Sequence, residues 1–272
     1  MLKVYISADI EGVNSVVYPH QTELSGGESY MKAREQQQKE LSCIIKTLKS
    51  LGVEKITLND AHGLMDNISL EGLESGVELI TGKPRAVSML HNLDSSYSCA
   101  FFTGYHAMAA SPKGVLAHTF SHIFSSVRLN GELIGEIGLN AVYAGLAGVP
   151  VALITGDDIA CSEAKSFLEQ PNTVSVKKAV STNCAICRDN EELFKELELK
   201  TIEALKNHKS FIPYLVKNPP YLLELAFKER RHADIAELLP FIKRISADSV
   251  SYNSDCYEEI YRVIQFLSAT LH

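Results

Sequence analysis

The chain opens on an alternation. Val4, Ile6, Ala8 and Ile10 are interleaved with Tyr5, Ser7, Asp9 and Glu11, and the run stops at Gly12. Strand side chains repeat every second residue, so this pattern predicts a β-strand whose two carboxylates project to one side. The period is lost across a polar, glycine-containing stretch, residues 13–27. It returns over residues 28–50 as a helical one, with Met31, Leu41, Ile44, Ile45 and Leu48 supplying an apolar face late in the segment. Leu51-Gly52 ends that helix, and residues 53–59 form a second apolar run that leads into Asp60-Ala61-His62-Gly63. Strand, helix and strand in this order make a βαβ unit, which implies a parallel sheet.

Further along, residues 77–81 and 99–103 read as buried strands, the latter entering Gly104-Tyr105-His106-Ala107. Residues 125–129 and 132–134 flank Asn130-Gly131, a two-residue hairpin signal. A Gly- and Ala-rich helix follows over 135–148, with Glu136 in its first turn and Asn140 and Tyr143 on the same face. Residues 151–155 form the next strand, ahead of Gly156-Asp157-Asp158 and a helix from Ile159 to about Leu168. Beyond Pro171 the pattern predicts strand 173–181 and helix 190–207. After Pro213 and Pro219-Pro220 come strand 221–227, helix 232–239, strand 241–252 and helix 255–271. The fold expected is α/β: a mostly parallel sheet with helices on both faces, followed by a smaller mixed α/β C-terminal part. The division expected is 1–165 for the parallel α/β unit and 166–272 for packing and oligomerisation.

Composition narrows the partners. A hydrophobic content of 46% over 272 residues can bury a substantial core. The net charge of −7 and the absence of any Lys/Arg run argue against nucleic acid or an anionic membrane as a partner. No apolar segment approaches the roughly 20 residues that span a bilayer, and no basic region with an apolar stretch precedes the first strand. A cytoplasmic protein without membrane insertion is expected. The six cysteines are scattered, and Cys184-Ala185-Ile186-Cys187 lacks the second pair that a zinc ribbon requires, so they read as free thiols.

The chemistry lies at the strand ends. Open α/β sheets bind ligands outside the carboxyl ends of their strands, and there the pattern places Asp9, Glu11, His62 and His106, with Glu136 at a helix start. Three carboxylates and two imidazoles suit Zn²⁺ or Mn²⁺ better than a thiol-loving ion. If one carboxylate bridges two ions, each ion receives that oxygen, one more carboxylate and one imidazole, with room for water. His118 and His122 are four residues apart, but Thr119 stands where the H-E-x-x-H zinc helix has Glu, and Gly114 with the Ser/Thr residues fits a helix poorly. That motif is rejected.

The blocks S-A-D-I-E-G (7–12), N-D-A-H (59–62), G-Y-H-A (104–107), G-V-L-A-H (114–118), G-E-I-G-L-N-A (135–141) and G-D-D (156–158) resemble, in order and spacing, the zinc D-aminopeptidases of peptidase family M55, the dipeptide-permease operon type. The resemblance is specific over residues 1–165 and weaker beyond. It implies that Asp9 bridges two zinc ions, that Glu11 and His62 complete one site, and that His106 and Glu136 complete the other. It places the family's active-site histidine at His118. It also implies a ring-shaped homo-oligomer, a decamer in the founding member.

The function expected from this resemblance is a dinuclear metallopeptidase. It would remove an N-terminal D-amino acid from short peptides such as D-Ala-D-Ala, through a metal-activated water with His118 as the assisting acid. Mn²⁺ or Co²⁺ could replace Zn²⁺. Asp60, Asp157 and Asp158 are candidates for holding the substrate ammonium, and Asn140 for supporting a ligand. The alternatives are a two-metal amidase or phosphoesterase, or a ring-forming binding protein of a peptide-transport operon.

Overall fold

A computed structural model of the chain describes residues 2–216 and 219–271. The first half runs β1 (Lys3–Ala8), α1 (Glu28–Ser50), β2 (Lys55–Asp60), β3 (Val77–Ile80), β4 (Cys99–Tyr105), β5 (Phe124–Leu129), β6 (Glu132–Leu133) and α2 (Glu136–Leu146). The second runs β7 (Val151–Asp157), α3 (Asp158–Phe167), β8 (Asn172–Ser181), β9 (Cys184–Cys187), α4 (Asn190–Lys206), β10 (Tyr221–Phe227), α5 (Arg230–Ala236), β11 (Lys243–Arg244), β12 (Ser249–Ser254) and α6 (Tyr257–Thr270). Two sheets result. One has seven strands in the order β3-β2-β1-β4-β7-β8-β9, and the other five in the order β11-β12-β10-β5-β6. The larger sheet is parallel except where β9 pairs antiparallel with β8.

The alternation in β1 explains the layering. Val4, Ile6 and Ala8 pack with Leu41, Ile44, Ile45 and Leu48 of α1 and with Leu193 and Leu197 of α4. Tyr5, on the opposite face, joins Phe102 of β4, Ile137 of α2, Ala160 of α3 and Ile264 of α6 in a second core, which continues into the smaller sheet through Phe124 and Phe227. Each side chain of a central strand is thus buried whichever way it points, as a parallel sheet covered on both faces requires. Both sheets draw strands from either side of residue 165: β8 and β9 extend the larger, and β5 and β6 the smaller.

Strand order reverses between β1 and β4. From β1 the chain moves outward to β2 and β3, then returns to place β4 on the other flank of β1. Such a switch point leaves a crevice at the carboxyl ends. Ala8 is level with both Asp60 and Thr103, so the residues just past β1, β2 and β4 emerge at the same height. Close backbone approach keeps the crevice narrow. Gly12 N donates to Gly104 O at 2.7 Å. A Cβ on Gly12 would lie 1.9 Å from Tyr105 O, and one on Gly104, at φ +67°, would lie 2.2 Å from Asp9 O.

Two local expectations are corrected, and a third reading, of free thiols at C-x-x-C, holds. The strand expected over 241–252 is two strands, β11 and β12, because Ser246 to Asp248 turn the chain back and Ile245 N donates to Ser249 O. The helix expected over 232–239 is α5, shifted toward the N-terminus. The C-x-x-C segment is the edge strand β9. Its two cysteines, three residues apart in extended chain, lie roughly 10 Å apart at about 3.3 Å per residue, beyond disulfide reach, and both are free.

Candidate metal centre

The local fold at the switch point delivers each side chain separately. Asp9 and Glu11 follow β1, and that loop is gripped from two sides. Gln37 of α1 donates to Asp9 O at 2.8 Å, and buried Lys177 of β8 places its Nζ 2.6 Å from Glu11 O, 2.9 Å from Val13 O and 2.5 Å from Val16 O. His62 sits two residues past β2 and His106 one past β4. Glu136 opens α2, and its Oε1 accepts from Phe120 N at 2.6 Å. His118 lies in an irregular loop, not a helix, in keeping with the rejection of the zinc-helix motif. That loop is fastened by Val115 N to Asp157 Oδ2 (2.7 Å), Leu116 N to Thr182 O (2.9 Å) and His118 N to Ala107 O (3.2 Å). Leu116 and Phe120 both have positive φ, 52° and 58°, a conformation that non-glycine residues hold only when their surroundings impose it.

These side chains meet. His62 Nδ1 is 2.9 Å from Glu11 Oε2 and 3.3 Å from Asp9 Oδ1. His106 Nε2 is 3.2 Å from Glu136 Oε1 and 3.5 Å from Asp9 Oδ2. His118 Nε2 is 3.8 Å from Glu136 Oε1, and its ring stacks on that of His106 with centroids 3.9 Å apart. The two oxygens of Asp9 therefore face two different imidazoles. Two groups of ligand atoms are each compact enough for one cation: Asp9 with Glu11 and His62, and His106 with His118 and Glu136. All six residues are at least nine-tenths buried except His62, which is partly exposed.

Hydrogen bonding fixes which nitrogen faces inward. His62 Nε2 lies 2.8 Å from Thr22 O, His106 Nδ1 3.0 Å from Ala107 O, and His118 Nδ1 2.8 Å from Leu116 O. A carbonyl oxygen can only accept, so each of these nitrogens carries a proton. In the neutral ring the other nitrogen then presents a lone pair to the carboxylates, the arrangement that metal-ligating histidines adopt. Lone pairs and carboxylate oxygens at such distances repel unless a cation or protons lie between them. Glu11 Oε2 and His106 Nε2 are buried and have no hydrogen-bond partner of proper geometry among the described residues. The donor set fits divalent zinc.

The side chains' own electrostatics carry the same message. Burial, reinforced by Glu11, pushes Asp9 up to about 7. Burial opposes charge on His106, but Glu136, Asp9 and Glu11 outweigh it and lift that ring to about 10. His118 differs. Burial, and then the neighbouring His106, hold it down to about 4, so the ring is neutral.

The remaining acids play other parts. Asp157 Oδ1 caps α3 by accepting from Ala160 N at 2.7 Å, and Asp158 Oδ1 accepts from Ala179 N at 2.7 Å. Asp60 accepts from the backbone nitrogens of Asn67 (2.6 Å) and Ile68 (2.9 Å) and from Asn67 Nδ2 (2.9 Å). Asp60 and Asp157 thus have both oxygens engaged, and Asp158 one. Asn140 does not reach Glu136. It bonds Tyr105 OH at 2.9 Å and receives Tyr261 OH at 2.7 Å, tying α6 to the floor of the crevice. Sequence reasoning missed His122, whose ring stacks on His118 at 4.4 Å, and Lys177, which reads as one of many surface lysines.

The cluster lines a cavity of about 830 Å³, whose other walls include the 62–65 turn and Gln265 and Ser268 of α6. An α/β sheet with a buried carboxylate and imidazole cluster at its switch point, opening on such a cavity, defines a metallohydrolase. Comparison then fixes the kind: the profile of peptidase family M55, D-aminopeptidase, matches residues 2–266, and the chain belongs to that family. It is a metallopeptidase. It is 32% identical over 240 residues to a D-aminopeptidase of Bacillus subtilis, covering 88% of this chain and 86% of that one. A solved structure, the Zn-dependent D-aminopeptidase DppA from Bacillus subtilis, described as a self-compartmentalizing protease, superposes with a TM-score of 0.94 at 29% identity, covering 98% of this chain and 97% of that one. Among the described residues no helix is long and apolar enough to cross a membrane.

Proposed function

We propose that this chain is a two-zinc aminopeptidase acting on short peptides with an N-terminal D-residue, D-Ala-D-Ala being the simplest. The observation that carries this reading is the position of Asp9, with one oxygen toward His62 and the other toward His106. Asp9 would be shared by both ions, Glu11 and His62 completing one site and His106 and Glu136 the other. Bound there, zinc would polarise the scissile carbonyl and acidify water. His118 does the proton work: neutral, with Nε2 directed at the cluster, it accepts the proton from the attacking water and returns it to the departing amine. The acid role expected from the sequence thus becomes the second half of a shuttle. His118 also stands close enough to Glu136 to be a ligand, and the zinc content of His118→Ala separates the two roles.

A phosphoesterase is not favoured. Phosphate is held by cations, and among the described residues lining the cavity the Lys and Arg positions number one, Lys83. The test is hydrolysis of D-Ala-D-Ala, L-Ala-L-Ala and p-nitrophenyl phosphate by the purified protein, with and without a chelator, beside its zinc stoichiometry. Chelator-sensitive cleavage of the D-peptide with two zinc ions per chain is expected. Phosphatase activity alone, or full activity in metal-free protein, would overturn the reading. We also propose a cytoplasmic, ring-shaped homo-oligomer, with the decamer as the size to test by light scattering. Exposed apolar side chains such as Phe241, Phe266 and Leu238 supply contact surface.

A further inference from the structure

The cavity is charged unevenly. Besides the cluster acids Asp9, Glu11 and Glu136, its lining includes Glu23, while the one Lys or Arg among the described lining residues is Lys83. Lys83 is exposed and makes no hydrogen bond or ion pair among the described residues. Its backbone, by contrast, is held on both sides. Thr81 Oγ1 donates to Met65 O at 2.8 Å, and Gly82 N donates to the same oxygen at 2.5 Å. Two residues beyond Lys83, buried Arg85 donates to Asn59 Oδ1 at 2.7 Å and to Asp60 O at 2.9 Å, and Gln265 Nε2 donates to Arg85 O at 2.8 Å. The anchors belong to the carboxyl end of β2 and to the turn beside His62. A cation with no partner of its own is therefore carried on a base fixed to the same strand end as a cluster imidazole.

A peptide cut at its first bond places its ammonium beside the cluster. In a dipeptide the remaining charge is the terminal carboxylate, and two residues span only about 7 Å at roughly 3.3–3.6 Å each. Such a carboxylate stays within the cavity, whose floor carries acids, so it needs a cation on the wall. Resting on the aminopeptidase reading above, we propose that Lys83 binds the C-terminal carboxylate of the substrate and so determines a preference for short peptides with a free carboxyl end. Lys83 is a specificity residue: it touches the far end of the substrate and takes no part in bond cleavage.

The experiment compares kcat/KM for D-Ala-D-Ala and for D-Ala-D-alaninamide in the zinc-loaded wild type and in Lys83→Met, Lys83→Glu and Lys83→Arg. A charge-assisted contact at a partly exposed site sets the expected scale. The wild type should prefer the acid by roughly tenfold. Lys83→Met should bring the ratio to about one, with the loss in KM, Lys83→Glu should invert it, and Lys83→Arg should restore it. Zinc content measured alongside identifies any variant whose centre is disturbed. If the wild type cleaves both peptides and the ratio is the same in all four proteins, the assignment of Lys83 is wrong and the aminopeptidase reading stands. If the wild type cleaves neither peptide, the reading itself fails and the assignment with it.

Discussion

Acids follow three of the parallel strands, and they divide into two kinds. Asp60 and Asp157 have both carboxylate oxygens engaged by N–H donors of the loops they organise. Asp9, Glu11 and Glu136 receive few such donors and face imidazoles instead. Both kinds are acidic residues after an apolar strand or at a helix start, and nothing in their immediate sequence tells them apart. Backbone amides stabilise a buried carboxylate without a cation, so the acids with free oxygens are those available to metal. An aspartate at a strand end becomes a candidate ligand only after its incoming donors are counted.

That contrast can be attacked at its strongest point first. Asp9→Ala should lower chelator-sensitive kcat at least about a thousandfold and bring zinc below two per chain by atomic absorption, since both halves lose a shared oxygen. If that variant kept its zinc, the division between the two kinds of acid would have no functional content. His118→Ala should cost about 10²–10⁴ in kcat with zinc retained, the range for a lost proton carrier. Loss of an ion there would move His118 among the ligands. Lys177→Met removes the donor shared by three carbonyls of the Asp9–Glu11 loop. A fall of about 10–100-fold in zinc affinity is expected, along with a lower melting temperature. Smallest in its effect on the centre is Asp157→Ala, which should cost about 2–4 kcal/mol by loss of the α3 cap and of the acceptor for buried Val115 N, seen as a lower Tm, with zinc stoichiometry intact. A loss of zinc in that variant would blur the distinction from the other side.

Much of the scaffold was legible in the sequence because period and burial coincide. Helix α1 and strand β10 begin and end where their patterns do, whereas β1 stops at Ala8, so Asp9 and Glu11 lie just past the strand that the alternation extends through them. The segment after Pro219-Pro220 was read less well: a turn of Ser246, Ala247 and Asp248 divides a run that looks continuous by composition. Strand β9 escaped notice because four residues beside a turn carry too little period. At the site, the imidazoles and acids were legible as strand-end residues, but His118 was placed only through family resemblance, since its loop has no regular pattern. Lys177 and Gln37 left no signal at all. Their partners are backbone carbonyls, which every residue possesses, so no side-chain spacing records the contact.

Helix α6 contributes Gln265 and Ser268 to the cavity wall, and Tyr261 locks it to Asn140 beneath the crevice. The ligand cluster is thus complete within the first half of the chain, while the pocket that it opens on is closed by the last helix.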